Sequence, residues 1–354
     1  MQNNTWPGLL SALVAKENLT REQASWAMNQ LMSGSASAAQ MGAFMIGLRA
    51  KGESVAELSG LVDVMLENAL PLNTGSDALD IVGTGGDLVG TVNVSSMASI
   101  LAAAAGVPVL KHGSRSASGR TGSSEMLDKL GINLELTPEQ VGEVFQQAGI
   151  TFFFAPVFHP AMRHVGPTRK ELGIPTTFNF LGPLANPAQP IATALGVSNH
   201  EIAPLMAAEL ASRNRTAVVF RSNDGLDELS TTSINEIWEI SSGQIRPQQF
   251  DATSIGIPRV SIDELLGGDA AANAQVAIDL FAGNKTDHYE AIRDIVCLNA
   301  AVGIVAYQLA KDPEQSEIDF NTRISGAYDL ARNTLDSGAA NEKANSWAKL
   351  TQEI

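Results

Sequence analysis

The chain has one cysteine in 354 residues, Cys297, which excludes an intramolecular disulfide and any multi-cysteine metal site. Within AIRDIVCLNAAVGIV that cysteine reads as helix packing rather than as a reactive thiol. Aromatic residues make up only 5%, and no uninterrupted apolar run approaches the roughly 18 residues that a membrane span requires. The N-terminal MQNNTWPGLLSALVAKENLT lacks a basic leader, a long apolar region and a small-residue cleavage site, which predicts a cytoplasmic protein. Positive charge is scarce too. With 23 Lys and Arg against 38 Asp and Glu the formal net charge is −15, and the summed field argues against a general nucleic-acid binder.

What is present is a local reversal of that charge. KHGSRSASGRTGSSE (Lys111 to Glu125) gathers Lys111, His112, Arg115 and Arg120 among serines and glycines, a composition suited to holding a small anion. A chain this long builds one large domain with a smaller partner, or two of similar size. From Trp6 to about Leu70 the pattern is helical, with Thr20–Gln23 and Ser54–Glu57 at capping-box spacing. PLNTGSD, residues 71–77, is a turn-rich boundary, which divides the chain at residue 72. Beyond it, short apolar runs (LDIV, VPVL, TAVVF) alternate with helical stretches and predict parallel βα units. The proline-dense stretch from Pro156 to Pro190 breaks the alternation and is expected to cross between domains at about 160–190. After Asp251 the periodicity is mostly helical, with Ser261–Glu264 opening one helix and Gly338 ending or kinking another.

In open parallel sheets, ligands bind where strands end and helices begin. GTGGDLVGTVNVSS (Gly83 to Ser96) follows a predicted strand and enters a predicted helix, a geometry that offers close backbone approach and free N–H donors to a phosphate. Leu88 stands where a dinucleotide fingerprint needs its third Gly, and no Gly-Lys-Ser/Thr is present for a Walker loop. The competing reading is a plain βα turn with Ser95 and Ser96 as caps. Asp227 and Glu228, in DGLDELS after TAVVF, are hard oxygen ligands suited to Mg²⁺, or else a solvated acidic turn. Arg169 in the crossing segment could grip a planar carboxylate at two points, while His159, Arg163 and His164 nearby take structural or solvated roles by default. The residues alone describe a cleft for a phosphorylated, Mg²⁺-bound substrate beside a carboxylate-bearing one.

Taken in order, GTGGD, TVNVSS, KHG.R, GSSEMLDKLG, APVFHPAMRH, R.ELG.PT.FN.LGPL.NPA and DGLDE resemble the anthranilate phosphoribosyltransferase family of tryptophan biosynthesis over nearly the whole chain. The resemblance implies an α/β fold, a small α-helical domain beside a large α/β domain with a mainly parallel sheet, in a homodimer joined through the helical domain. It implies transfer of a phosphoribosyl group from phosphoribosyl pyrophosphate to the amine of anthranilate, with two Mg²⁺ per subunit and no general base assigned. Carried onto this chain, the phosphoribosyl pyrophosphate site would comprise Gly83, Gly86, Asp87, Thr91, Asn93, Val94, Ser95 and Ser96 on the first loop. The second loop would add Lys111, His112, Gly113, Ser114, Arg115, Ser116, Ala117, Ser118, Gly119 and Ser123. Gly83, Ser114 and Arg169 would meet anthranilate; Ser95 with Glu228 would ligate one Mg²⁺, and Asp227 with Glu228 the other. Three positions depart from the family pattern. Ser114 replaces the usual Asn, Gly119 a usual Ser, and Leu88 a usual Gly. The shorter Ser114 loses the reach and extra donor of an amide. Two further readings stay open: a related phosphoribosyltransferase or phosphorylase with another acceptor, and a non-catalytic phosphoribosyl pyrophosphate binder.

Overall fold

The structure is a computed structural model that describes residues 4–72, 74–115 and 121–354. Four helices open the chain: α1 (Trp6–Val14), α2 (Arg21–Met32), α3 (Ala38–Lys51) and α4 (Val55–Glu67). The capping boxes expected at Thr20/Gln23 and Ser54/Glu57 both form, and a third at Ser37/Gln40 opens α3. Each reciprocal pair satisfies N–H groups that a helix start leaves without partners. Met28, Leu31, Phe44, Leu48, Leu58 and Leu61 bury the facing stripes of these helices.

The remainder begins with β1 (Leu79–Gly83), α5 (Val94–Ala104), β2 (Val109–Gly113), α6 (Ser123–Lys129), α7 (Pro138–Ala148) and β3 (Ile150–Phe154). The crossing stretch carries only short helices, including α8 (Ala155–Phe158) and α9 (Gly166–Leu172). Then follow β4 (Ala192–Gly196), α10 (Ala203–Ser212), β5 (Thr216–Ser222), β6 (Asn235–Ser241) and β7 (Gln244–Phe250). Four helices close the chain: α11 (Ala270–Phe281), α12 (Asp287–Lys311), α13 (Phe320–Asp336) and α14 (Ala339–Glu353). The sheet runs β3-β2-β1-β4-β5-β6-β7, parallel through β5 and antiparallel beyond, with β7 outermost. Strand order reverses between β1 and β4, so the crevice for a ligand opens at their C-terminal ends.

Alternation along the strands divides the interior. Ile81, Ala194, Val218 and Phe220 face a core shared with α5 and α12, while Val82, Leu195 and Val219 face one shared with the N-terminal helices. The crossing stretch belongs to the second core through Val165, Phe178, Leu181 and Leu184, and Thr177 Oγ1 donates to Glu53 on the segment after α3 at 2.6 Å. Among the described residues α12 is long and apolar enough to cross a membrane by composition, but 89% of its apolar window is buried as the central helix of the first core.

One expectation changes. Ser261–Glu264 opens only a single 3₁₀ turn, Ile262–Leu265. The reason is tertiary: Leu266 turns extended and pairs with Thr91, the Val92 N–H donates to the Leu265 carbonyl at 3.0 Å, and the next helix waits until Ala270 behind its Asp269 cap. The sheet also gains the β6–β7 hairpin, closed by Ser242 and Gly243 at φ 51° and 72°. Gly338, left-handed at φ 81°, separates α13 from α14.

Candidate functional site

A cavity of 1170 Å³ opens at the C-terminal ends of β1, β2 and β4. Its floor is the β1–α5 loop, where Gly85, Gly86 and Gly90 take positive φ. Leu88 does so too, at φ 59°, with its side chain 74% exposed; a left-handed residue with a Cβ costs roughly 1–2 kcal/mol, which accounts for the family's glycine there. Two further glycines are demanded by Asp227. A Cβ on Gly83 would overlap Asp227 Oδ2, and one on Gly196 would overlap the Asp227 carbonyl oxygen. In return the Gly85 N–H donates to Asp227 Oδ2 at 2.7 Å.

Asp227 and Glu228 sit in the loop after β5, and Asp87 hydrogen-bonds to Asp227 from the opposite loop. Burial, and then the Asp87 charge, push Asp227 above the usual carboxylate range. Burial together with Asp227 and Asp87 pushes Glu228 well above the usual carboxylate range, against Lys111 and the Ser95 N–H. The carboxylates therefore crowd one another without enough positive charge. Among the described residues no group of three or more His, Cys, Asp or Glu would hold a metal ion unaided. The Asp227 and Glu228 carboxylates with the Ser95 hydroxyl are nonetheless hard oxygen donors of the kind that share Mg²⁺ with phosphate oxygens.

Lys111 reaches up from β2, almost fully buried. Its Nζ donates to the Ile81 carbonyl at 2.6 Å and to Ser95 Oγ at 3.3 Å. Burial pulls its pKa down, and the charges of Asp80 and Glu228 oppose that. Asp80 lies wholly buried below, accepting from the His112 N–H at 3.2 Å and from Asn186 Nδ2 at 2.8 Å, and burial pushes it up to about 6. On the far wall His112 packs edge-on against His159 with ring centroids 5.2 Å apart. Burial holds both neutral, at about 3 and about 4. The rings bond to the Gly182 and Ala185 carbonyls of the crossing stretch.

Gly83, Gly86, Asp87, Thr91, Asn93, Ser95, Lys111, His112, Gly113, Ser114, Arg115, Ser123, Arg169, Asp227 and Glu228 all line this one cavity. Val94 and Ser96 do not; the first turn of α5 directs Ser95 at the cavity and turns both neighbours into the interior, fully buried. Ser116, Ala117, Ser118 and Gly119 lie outside the described residues. The N-cap of α5 is Asn93, without a side-chain cap bond, so the serines are not the caps of the competing reading. Arg115 stacks its guanidinium 5.7 Å from the Phe154 ring centroid. Arg163 lines the cavity, whereas His164 packs against Gly34 at the end of α2.

The sequence reading missed Asp80 and Asn186 beneath the site, Gly196 against Asp227, and, on the cavity wall itself, Arg49 of α3 and the segment Leu266, Gly267, Gly268 with Asn273. GGDAAANA contributes to the resemblance, but nothing in its spacing announces a wall; the partners lie far away in sequence.

A model of the glycosyl transferase family, helical bundle domain, matches residues 7–69, and one of the glycosyl transferase family, a/b domain, matches residues 75–341. The chain is 48% identical over 351 residues to an anthranilate phosphoribosyltransferase of Leifsonia xyli subsp. xyli, covering 99% of both. It is 47% identical to one of an Arthrobacter species, covering 99% of this chain and 97% of that one. Among solved structures, the anthranilate phosphoribosyltransferase of Thermus thermophilus superposes with a TM-score of 0.87 at 36% identity, covering 97% of this chain and 99% of that chain. One from Saccharomyces cerevisiae, in complex with phosphoribosyl pyrophosphate and Mg, also gives 0.87 at 23% identity, covering 99% and 98%, and is similar in fold alone.

Proposed function

This chain belongs to the anthranilate phosphoribosyltransferase family, and on that basis we propose that it is a pentosyl-transferring glycosyltransferase of tryptophan biosynthesis. It transfers the phosphoribosyl group of phosphoribosyl pyrophosphate to the amine of anthranilate, giving N-(5-phosphoribosyl)anthranilate and pyrophosphate. The observation that carries this reading is the meeting of two anion-competent loops, the Asp227–Glu228 pair and Arg169 around one cavity.

The β1–α5 loop from Gly83 to Asn93, with Lys111 and the loop after it, would hold the ribose and diphosphate through N–H donors and the Lys111 ammonium. Ser95, Asp227 and Glu228 would hold Mg²⁺, two ions per subunit, and these would supply the charge neutralisation that a departing diphosphate needs. The crowding of Asp227, Glu228 and Asp87 supports the presence of a cation, as does the yeast fold neighbour's complex with Mg. Arg169 would fix the carboxylate of anthranilate, with Ser114 and Gly83 beside it. Neutral anthranilate amine is already nucleophilic, so orientation by these groups does more than a strong base would, and none is assigned. We further propose a cytoplasmic homodimer and a division of the chain near residue 72 into a helical and an α/β part.

Incubation with phosphoribosyl pyrophosphate, Mg²⁺ and anthranilate should extinguish anthranilate fluorescence in step with pyrophosphate release. No turnover at saturating acceptor, with phosphoribosyl pyrophosphate bound, would instead support a different acceptor or a non-catalytic binder.

A further inference from the structure

Four residues from three separate segments close a ring of hydrogen bonds along the cavity wall. The Gly268 N–H donates to Asn273 Oδ1 at 2.7 Å, and Asn273 Nδ2 donates to Asn93 Oδ1 at 2.8 Å. Asn93 Nδ2 in turn donates to the Thr121 carbonyl at 3.3 Å, and Thr121 Oγ1 donates back to the Gly268 carbonyl at 3.1 Å. Asn273 is 1% exposed at the start of α11, and a Cβ on Gly267 would meet its Oδ1 at 2.5 Å. Both polar atoms of its amide are thus committed, each in one direction. Around the ring, the Gly267 N–H also donates to the Gly90 carbonyl at 2.9 Å.

We propose that Asn273 is a positioning residue for phosphoribosyl pyrophosphate, fixing the gap between the β1–α5 loop at Asn93 and the end of the β2–α6 loop at Thr121 through this closed ring. The two loops come from neighbouring strands, and the segment from Leu266 to Asn273 spans them. A diphosphate bridging both loops meets its donors at the right separation only while the ring is closed, and a misplacement on the order of 1 Å costs catalysis heavily. The direction of the ring matters as well. An acid at 273 would face Asn93 Oδ1 with an acceptor, and flipping the Asn93 amide to suit it would oppose two acceptors at Thr121.

The inference rests on the diphosphate-sugar reading of the cleft, and turnover by the parent enzyme tests that reading separately. Asn273→Ala and Asn273→Asp should each raise the KM for phosphoribosyl pyrophosphate roughly tenfold or more, with the KM for anthranilate changing less than about twofold. Thr121→Val, which removes one bond and leaves the Gly268–Asn273–Asn93 link in place, should give a smaller rise, and Asn273→Ala/Thr121→Val should be no worse than Asn273→Ala alone, because without Asn273 the Thr121–Gly268 bond no longer ties the two loops together. All variants are assayed at a temperature where circular dichroism shows them folded. If both substrates' KM values rise together, or the double variant shows the product of the single effects, Asn273 is only a packing residue and the proposal fails.

Discussion

At the scale of single residues, the site is built from buried polar groups whose protonation is set by their surroundings. His112 and His159 are the clearest case. Burial holds His112 at about 3, with the His159 ring adding to the effect, while an unfolded chain binds that proton near 6.5. The unfolded state therefore takes up protons first on acidification. The contribution of His112 is complete above pH 6.5 and is lost progressively as pH falls toward 3, up to roughly 5 kcal/mol. His159, at about 4, acts in the same sense, and Asp80, raised to about 6, acts in the opposite one between pH 6 and 4. Comparing the parent with His112→Gln isolates the histidine. Urea unfolding at about pH 8, 6 and 5 should show the parent losing stability faster than the variant, and parallel profiles would contradict the assignment. Ser114, exposed, lines the cavity, as does Leu88, so two of the departures from the family pattern face the same space.

Among the elements, the helical bundle is joined to the α/β part where α10 docks on α4. Arg213, at the end of α10, donates to the Ser59 carbonyl at 2.9 Å, pairs with Asp63 at 2.8 Å and pairs also with Glu209, whose side chain is fully buried. Arg21 of α2 clasps Asp63 from the other side at 2.6 and 2.9 Å. Burial raises the pKa of Glu209, with Arg213 opposing it. Arg213→Met should therefore cost about 3 kcal/mol in urea unfolding, because it strands a buried carboxylate, and Glu209→Gln in the same chain should restore part of it. A cost below about 1 kcal/mol would show the junction to be inert. Helix starts such as Thr20/Gln23 were legible because their capping partners lie three residues apart, and β1, β2 and β5 because buried parallel strands read as apolar runs. Ser261–Glu264 misled for the converse reason: its local signal is sound, but pairing with Thr91, far away in sequence, takes the chain out of the helix. Asn273 and Asp80 were illegible on the same ground, since Asn93 stands 180 positions from one and Asn186 106 from the other.

For the whole molecule, the proposed homodimer predicts a particle mass. Val14 on α1, 85% exposed, is an apolar surface residue of the helical bundle. Light scattering should give a mass near twice the 37.3 kDa of one chain, and a mass of one chain across micromolar concentrations would remove the dimer from the proposal. The fold class was legible at this scale, because alternation of apolar runs with helical stretches is a property of the entire sequence and survives local error.

The outermost strand has a different consequence. β7 ends the sheet with Gln244–Ile245–Arg246–Pro247 along its length; Pro247 sits opposite Trp238, and Arg246 bonds to the Ser316 carbonyl and Glu317. An edge strand is a template on which another chain's strand can grow, and a residue with no N–H beside a tethered cation denies it the regular row of donors. Pro247 thus takes one N–H donor out of this edge of the sheet, leaving β7 a poorer template for a further strand than an uninterrupted run of donors would be.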